Sequence, residues 1–217
     1  MLKSILSEFL GTLLLLTTVV GSGIMGESLS GGNIAIALLA NAVATGAMLF
    51  VLINIFGPIS GAHFNPLVTL AMAAKKHLPT TSMAPYIAAQ IAGAILGVIL
   101  AHAMFDLPLF QVSEKIRWGS SQWIAEATAT FGLLLTIFGL LRNKSDLIPQ
   151  AVALYIVAAY WFTASTSFAN PAVTIARSLS NSFAGIAPSC VLGFIAAQSV
   201  GAVLAVMVCR KLFSENP

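Results

Sequence analysis

Two stretches of this sequence, Ser28 to Ala74 and Leu147 to Ala176, contain no Asp, Glu, Lys or Arg, yet each is interrupted by an Asn-Pro pair. The first interruption reads Ser60-Gly61-Ala62-His63-Phe64-Asn65-Pro66-Leu67-Val68-Thr69, and the second reads Ser165-Thr166-Ser167-Phe168-Ala169-Asn170-Pro171-Ala172-Val173-Thr174. Asn is a preferred helix N-cap and Pro is preferred at the first helical position. Each pair therefore predicts the start of a short helix, Pro66 to about Ala74 and Pro171 to about Leu179. Irregular backbone at membrane depth is tolerated only where it is buried in protein or lines a water-filled cavity. Two such breaks in matching apolar contexts leave few folds open to the chain.

That the context is a membrane follows from charge. Only 8% of residues are charged and 58% are hydrophobic, whereas a soluble domain carries about 25% charged residues. With about 20 apolar residues per span, six spans and their connections use the whole chain, 1–217, as a single domain. The predicted spans are about Ile5–Met25, Asn33–Phe56, Ala84–Met104, Trp123–Leu141, Pro149–Thr163 and Pro188–Cys209. Gly57-Pro58 is read as ending the second span. Arg142 to Asp146 forms a short polar loop. The basic residues are scattered near span ends, so the net charge of +3 points to no nucleic-acid partner. Cys190 and Cys209 fall in one span, about 28 Å apart at 1.5 Å per residue, and cannot pair with each other. No metal-ligand spacing, nucleophile elbow or phosphate loop is present. Neither a catalytic residue nor a cofactor or metal is expected, and the chain is not read as an enzyme.

The halves repeat. Ala88-Ala89-Gln90-Ile91-Ala92-Gly93-Ala94 corresponds to Ala196-Ala197-Gln198-Ser199-Val200-Gly201-Ala202, and Ser7-Glu8-Phe9 to Ala125-Glu126-Ala127. Three spans per half place repeats 1–105 and 121–211, joined by loop 106–120, in opposite orientations. Inverted repeats of this kind put the functional site near the midplane, at broken helices. The fold class is thus an all-α membrane protein with six transmembrane helices and two re-entrant half-helices. Of the ten Lys and Arg residues, seven (Lys3, Lys75, Lys76, Arg142, Lys144, Arg210, Lys211) fall on one side and three (Lys115, Arg117, Arg177) on the other. The positive-inside rule then makes both termini cytoplasmic.

With these motifs in place, the chain resembles the major intrinsic protein family, the aquaporins and glycerol facilitators, from Glu8 to Gly201. The family's paired Asn-Pro-Ala motifs stand here as Asn65-Pro66-Leu67 and Asn170-Pro171-Ala172, with Leu67 departing from the usual Ala. The resemblance implies a passive channel and a homotetramer in the lipid bilayer, in the bacterial inner membrane. Each half-helix N-terminus carries roughly +0.5 of an elementary charge, so the two together repel a cation at the midplane. An Asn side-chain oxygen occupied in capping leaves its amide free to donate to a passing solute. In the family, acids equivalent to Glu8 and Glu126 brace the re-entrant loops, and a His such as His63 lines the pore.

Counting from the motifs, the family's selectivity positions are Thr45, Ala158, Ser167 and Val173, with Ala159 as the alternative if the second count slips. The family's usual Arg is absent from position 173. Arg177 lies one turn beyond Val173, either adding a positive charge to the vestibule or snorkelling at the interface. Four small or medium side chains imply a wide, aquaglyceroporin-like pore for water, glycerol-like polyols and, by likeness to bacterial members whose filter lacks Arg, neutral metalloid acids such as arsenite. A water-selective channel is the runner-up. An ion-coupled transporter would need further ionisable groups at the midplane, and a non-conducting junctional protein would need more exposed surface than these short loops offer.

Overall fold

The computed structural model describes residues 1–142 and 144–213. Asn143, in the predicted polar loop Arg142–Asp146, and residues 214–217 of the single-domain assignment lie outside the described residues. Eight α-helices occur in chain order and no strand appears among the described residues: α1 Leu2–Leu29, α2 Ile34–Ser60, α3 Pro66–Ala74, α4 Met83–Met104, α5 Ser120–Leu141, α6 Ile148–Phe162, α7 Pro171–Arg177 and α8 Pro188–Leu212. Six are long and apolar enough to cross a membrane, α4 and α6 together with the 3-10 turns that precede them. The order long, long, short, long occurs twice, and the two short helices begin at the two Asn-Pro pairs.

Packing follows the repeated sequence. Helix α1 packs on α4 and α2, α5 packs on α8 and α6, and α2 packs on α6 across the two halves. Gly93 in α4 and Gly201 in α8 occupy equivalent places in the repeated segment. A Cβ at Gly93 would overlap the Phe9 carbonyl of α1, and one at Gly201 would overlap the Ala127 carbonyl of α5. Small residues at these crossings let the backbones meet, which is the main source of helix association where both water and apolar contrast are absent. The outer faces carry exposed Leu, Ile, Val and Phe side chains, as expected of a surface solvated by lipid.

Three predicted boundaries are corrected, the first at α1, which runs through Gly26 to Leu29 rather than ending near Met25. Helix α2 runs through Gly57-Pro58 to Ser60 rather than ending near Phe56. Pro58 removes one donor and leaves one carbonyl a turn earlier without its partner. The helix tolerates this because it ends within a turn, where Gly61 adopts φ 87° and its N–H bonds the Gly57 carbonyl at 2.9 Å. The left-handed value suits glycine. Helix α7 ends at Arg177, two residues short of the expected Leu179. Its last turn tightens, with Ser178 N on the Ile175 carbonyl at 3.2 Å and Leu179 N on Ala176 at 3.0 Å. The Ser178 hydroxyl also takes the Ile175 carbonyl at 2.7 Å, satisfying helix-end acceptors that further helix would otherwise have used.

Candidate functional site at the half-helix junction

The two half-helices meet N-terminus to N-terminus. Asn65 and Asn170 hold extended backbone (φ −154° and −160°) and cap their own helices through the side-chain oxygen. Asn65 Oδ1 accepts from Leu67 N at 2.9 Å, and Asn170 Oδ1 accepts from Ala172 N at 3.0 Å and Val173 N at 3.3 Å. The amide nitrogens then cross. Asn65 Nδ2 donates to the Ala169 carbonyl and Asn170 Nδ2 to the Phe64 carbonyl, both at 2.8 Å. Capping by the oxygen fixes the orientation of each amide. The exchange employs one N–H of each NH₂ group and leaves one N–H per Asn for another acceptor.

The loops leading into the half-helices are backbone-strained. Ala62, Phe64, Thr166, Ser167 and Ala169 all have φ between 48° and 63°, a region that costs a non-glycine residue of order 1–3 kcal/mol. Two fully buried acids offset that cost. Glu8 Oε1 accepts from His63 N at 2.9 Å and the Ser60 hydroxyl at 2.7 Å, while its Oε2 accepts from Phe64 N at 2.7 Å and Gln90 Nε2 at 2.8 Å. Glu126 accepts from Phe168 N at 2.8 Å, Ala169 N at 2.9 Å and Gln198 Nε2 at 2.6 Å. Hydrogen bonds to an ionised acceptor contribute about 1.5–3 kcal/mol each.

Gln90 and Gln198 reach these acids from α4 and α8 as polar contacts between helices, the role their sequence positions suggest. Each also donates to the hydroxyl of a half-helix Thr, Thr69 or Thr174, at 2.9 Å. The signal was available: both Gln residues lie in the repeated segment, and a Thr stands four residues after Asn in both motifs.

A continuous cavity of about 590 Å³ passes the junction. At one mouth it is lined by Ser145, Asp146 and Pro149, and beyond the paired asparagines by Thr45, Tyr160, Ser167, Val173 and Arg177. His63 also lines it, with Nδ1 3.1 Å from the Thr69 hydroxyl and its ring 5.5 Å from that of Tyr86. Pro66, Leu67, Pro171 and Ala172 do not line the cavity. Leu67 is accommodated in the apolar core, which answers how a residue larger than Ala fits there.

Ala158 is misplaced in the sequence reading. It lies exposed on the outer face of α6, and the alternative Ala159 is fully buried outside the cavity lining. The residues of α6 that line the cavity are Ile148, Pro149, Val152, Ile156 and Tyr160, and of these Tyr160 has its hydroxyl 3.3 Å from that of Thr45. Two residues amount to about 200° around a helix, so a count two short selects the opposite face.

Arg177 is 2% exposed and lines the cavity, a placement that a snorkelling side chain would not have. Its Nε donates to the Ala184 carbonyl, and its guanidinium lies 3.4 Å from the centre of the Phe168 ring. Arg117, from the loop before α5, approaches the same ring at 5.0 Å and donates to the Gly185 and Ser165 carbonyls at 2.8 and 3.1 Å. Burial pushes the Arg117 guanidinium down to about 10, with nearby Glu126 opposing the shift, so it stays protonated at neutral pH. Nothing in the sequence marked Arg117 or Phe168 as neighbours of this site.

Among the described residues no group of His, Cys, Asp or Glu is arranged to hold a metal ion. The arrangement offers fixed donors beside a cavity that extends on both sides of the asparagine pair, with both internal acids engaged by loop backbone.

Comparison with known proteins points the same way as the geometry. Residues 1–162 match the family model described as "Major intrinsic protein". The chain is 53% identical to aquaglyceroporin AqpS of Rhizobium meliloti over 206 residues, which cover 95% of this chain and 88% of that protein. It is 36% identical to a glycerol uptake facilitator protein of Streptococcus pneumoniae over 159 residues, covering 64% of this chain and 65% of the relative. The fold superposes on the X-ray structure of the aquaglyceroporin from Plasmodium falciparum with a TM-score of 0.78 at 18% identity, covering 98% of this chain and 97% of the other.

Proposed function

Because this chain belongs to the major intrinsic protein family, we propose that it is a passive membrane channel for small uncharged solutes, with a pore of the aquaglyceroporin kind. The observation that carries this reading is the reciprocal asparagine pair at the junction of two helix N-termini, facing a cavity of about 590 Å³. Two positive helix ends disfavour cations there. The remaining N–H of each Asn offers a solute oxygen a donor, and a water held by both has its own protons turned outward, which breaks a proton wire.

Water, glycerol-like polyols and neutral metalloid acids are the solutes proposed. The Rhizobium relative, an aquaglyceroporin by name, supports the polyol part. Asn65 and Asn170 act as the midplane donors, with Pro66, Leu67, Pro171 and Ala172 setting their half-helices. Thr45, Ser167 and Val173 form the narrow part of the pore together with Tyr160, which replaces Ala158 in that role. His63 and Arg177 line the pore on either side of it. Glu8 and Glu126 brace the loops and have no transport role. The chain forms one channel domain of two inverted repeats, about 1–105 and 121–211. It is placed as a homotetramer in a bacterial inner membrane, with both termini cytoplasmic. No chemical step is assigned to it.

A water-selective channel is the second reading. It draws on two observations: the Thr45–Tyr160 contact and the cavity-lining Arg177 make that end more polar than four small side chains would. An ion-coupled transporter gains no support, since Glu8 and Glu126 are each held by loop amides and a Gln.

Stopped-flow light scattering on proteoliposomes separates these readings. The expected result is rapid osmotic shrinkage together with rapid glycerol-driven reswelling, both lost in a folded double variant lacking the Asn65 and Asn170 amides. Water flux without glycerol flux would select the water-selective reading. Neither flux from folded protein would sink the channel reading.

A further inference from the structure

Position 173, where the first turn of α7 faces the cavity, is a Val with nothing to donate. We propose that Arg177, one turn further along α7, supplies the cation of the constriction on that side of the asparagine pair, donating to hydroxyl-bearing solutes and turning back inorganic cations. This rests on the channel reading above.

The argument starts from burial. A guanidinium carries five N–H donors. The Arg177 side chain is 2% exposed, yet its one protein acceptor among the described residues is the Ala184 carbonyl, and no carboxylate pairs with it. An unpaired buried charge costs several kcal/mol unless something solvates it. Arg177 lines the cavity, so its remaining N–H groups have a hydrated lumen or a solute to meet. Arg117 provides the contrast. It is buried against the same ring, but two carbonyls from different loops take its N–H groups and it does not line the cavity. Arg117 is structural by these criteria and Arg177 is not.

The side chain is also held in place. Its guanidinium carbon sits over the ring of Phe168, whose own N–H is fixed by Glu126 at 2.8 Å and whose ring packs edge-on to Phe194 at 5.2 Å. Phe168 and the Ala184 carbonyl are the positioning partners; neither needs to touch solute. Facing the same stretch of cavity is the Ser167 hydroxyl, buried and without a protein partner, along with the Thr45 and Tyr160 hydroxyls. One cation and several hydroxyls on a passage walled by Phe168 and Val173 suit a neutral polyhydroxylic solute, which presents oxygens to one wall and carbon to the other. Displacement by a turn, about 6 Å, keeps a long side chain out of the Val173 level while keeping a positive charge on the path.

The test compares wild type with R177Q and R177K in proteoliposomes, reading osmotic water flux, glycerol flux and sodium leak under an imposed potential. In R177Q, sodium leak rises at least about tenfold relative to the water flux read on the same vesicles, a conservative figure for removing a unit charge within several Å of the path. An R177Q channel that conducts water like wild type and leaks sodium no faster overturns the inference and leaves the channel reading standing. Wild type that passes neither water nor glycerol sinks the channel reading itself. If R177Q does not fold, R177K decides. A point charge in place of the planar fork should change the ratio of glycerol to water flux, and an unchanged ratio overturns the inference.

Discussion

Replacing Glu126 by Leu tests how the second re-entrant loop is held. The carboxylate is fully buried and accepts from Phe168 N, Ala169 N and Gln198 Nε2 at 2.8, 2.9 and 2.6 Å. Leu leaves all three donors without that acceptor. At about 1–3 kcal/mol per orphaned buried donor, and with neighbouring losses less than additive, the expected destabilisation is roughly 3–6 kcal/mol. Glu126→Gln retains one acceptor oxygen but turns an NH₂ toward a loop N–H, so it orphans about one donor and costs roughly 1–3 kcal/mol. Thermal unfolding in detergent should therefore rank wild type above Gln and Gln above Leu, with Leu lower than wild type by about 10 °C or more. Because the loop residues it holds include Ala169 at φ 48°, water flux should fall in the same order. Glu8, with four such partners, should show the same ranking with a larger loss for Leu. If Glu126→Leu unfolds at the wild-type temperature, the loop is not held by this carboxylate and the bracing argument fails.

Asn170→Asp keeps a cap oxygen but loses the donor to the Phe64 carbonyl and sets a negative charge at the paired helix ends; a folded variant should admit sodium and protons in a leak assay, and one as tight as wild type contradicts the dipole argument. Val173→Arg should cut glycerol flux far more than water flux by adding a long side chain and a fork of donors at that level, and Thr45→Phe should do so by bulk alone; wild-type glycerol flux in both would remove those residues from the filter. Lys115, in the loop before α5, has its ammonium pushed down to about 8, by burial first and then by Arg117 and Arg177. Its usual value is 10.5, so between about pH 8 and 10.5 the unfolded chain binds the extra proton and stability rises with pH. Lys115→Met should flatten that rise in detergent melts at pH 7.5 and 10, and an unchanged slope would refute the shift.

Much of the scaffold was legible in the chain because its causes are local. A side-chain cap on an N–H two or three residues ahead needs only neighbours in sequence, so Asn65 and Asn170 could be read as helix starts. Half-helix α3 spans Pro66–Ala74 as read, and α7 differs only at its end. Glu8 and Glu126 were legible for another reason: each half carries one at the same place in its repeat, and both turn out to grip the loop amides.

The face that α6 presents was not legible. Its phase relative to Asn170 depends on the path of residues 163–169, which left-handed residues and Glu126 shape from elsewhere, and an error of two residues put Ala158 where Tyr160 stands. The burial of Arg177 was equally out of reach, since both a vestibule and an interface lie one turn past Val173 in sequence. Only the folded chain brings Phe168 and the Ala184 carbonyl to its guanidinium and sets Arg117 against the same ring. Local hydrogen bonding and apolar length decided that there would be two half-helices inside a membrane bundle. The polarity of the cavity between them was decided by contacts across irregular loops, seven positions apart for Arg177 and Ala184 and 115 for Thr45 and Tyr160, which no periodic pattern along the chain encodes.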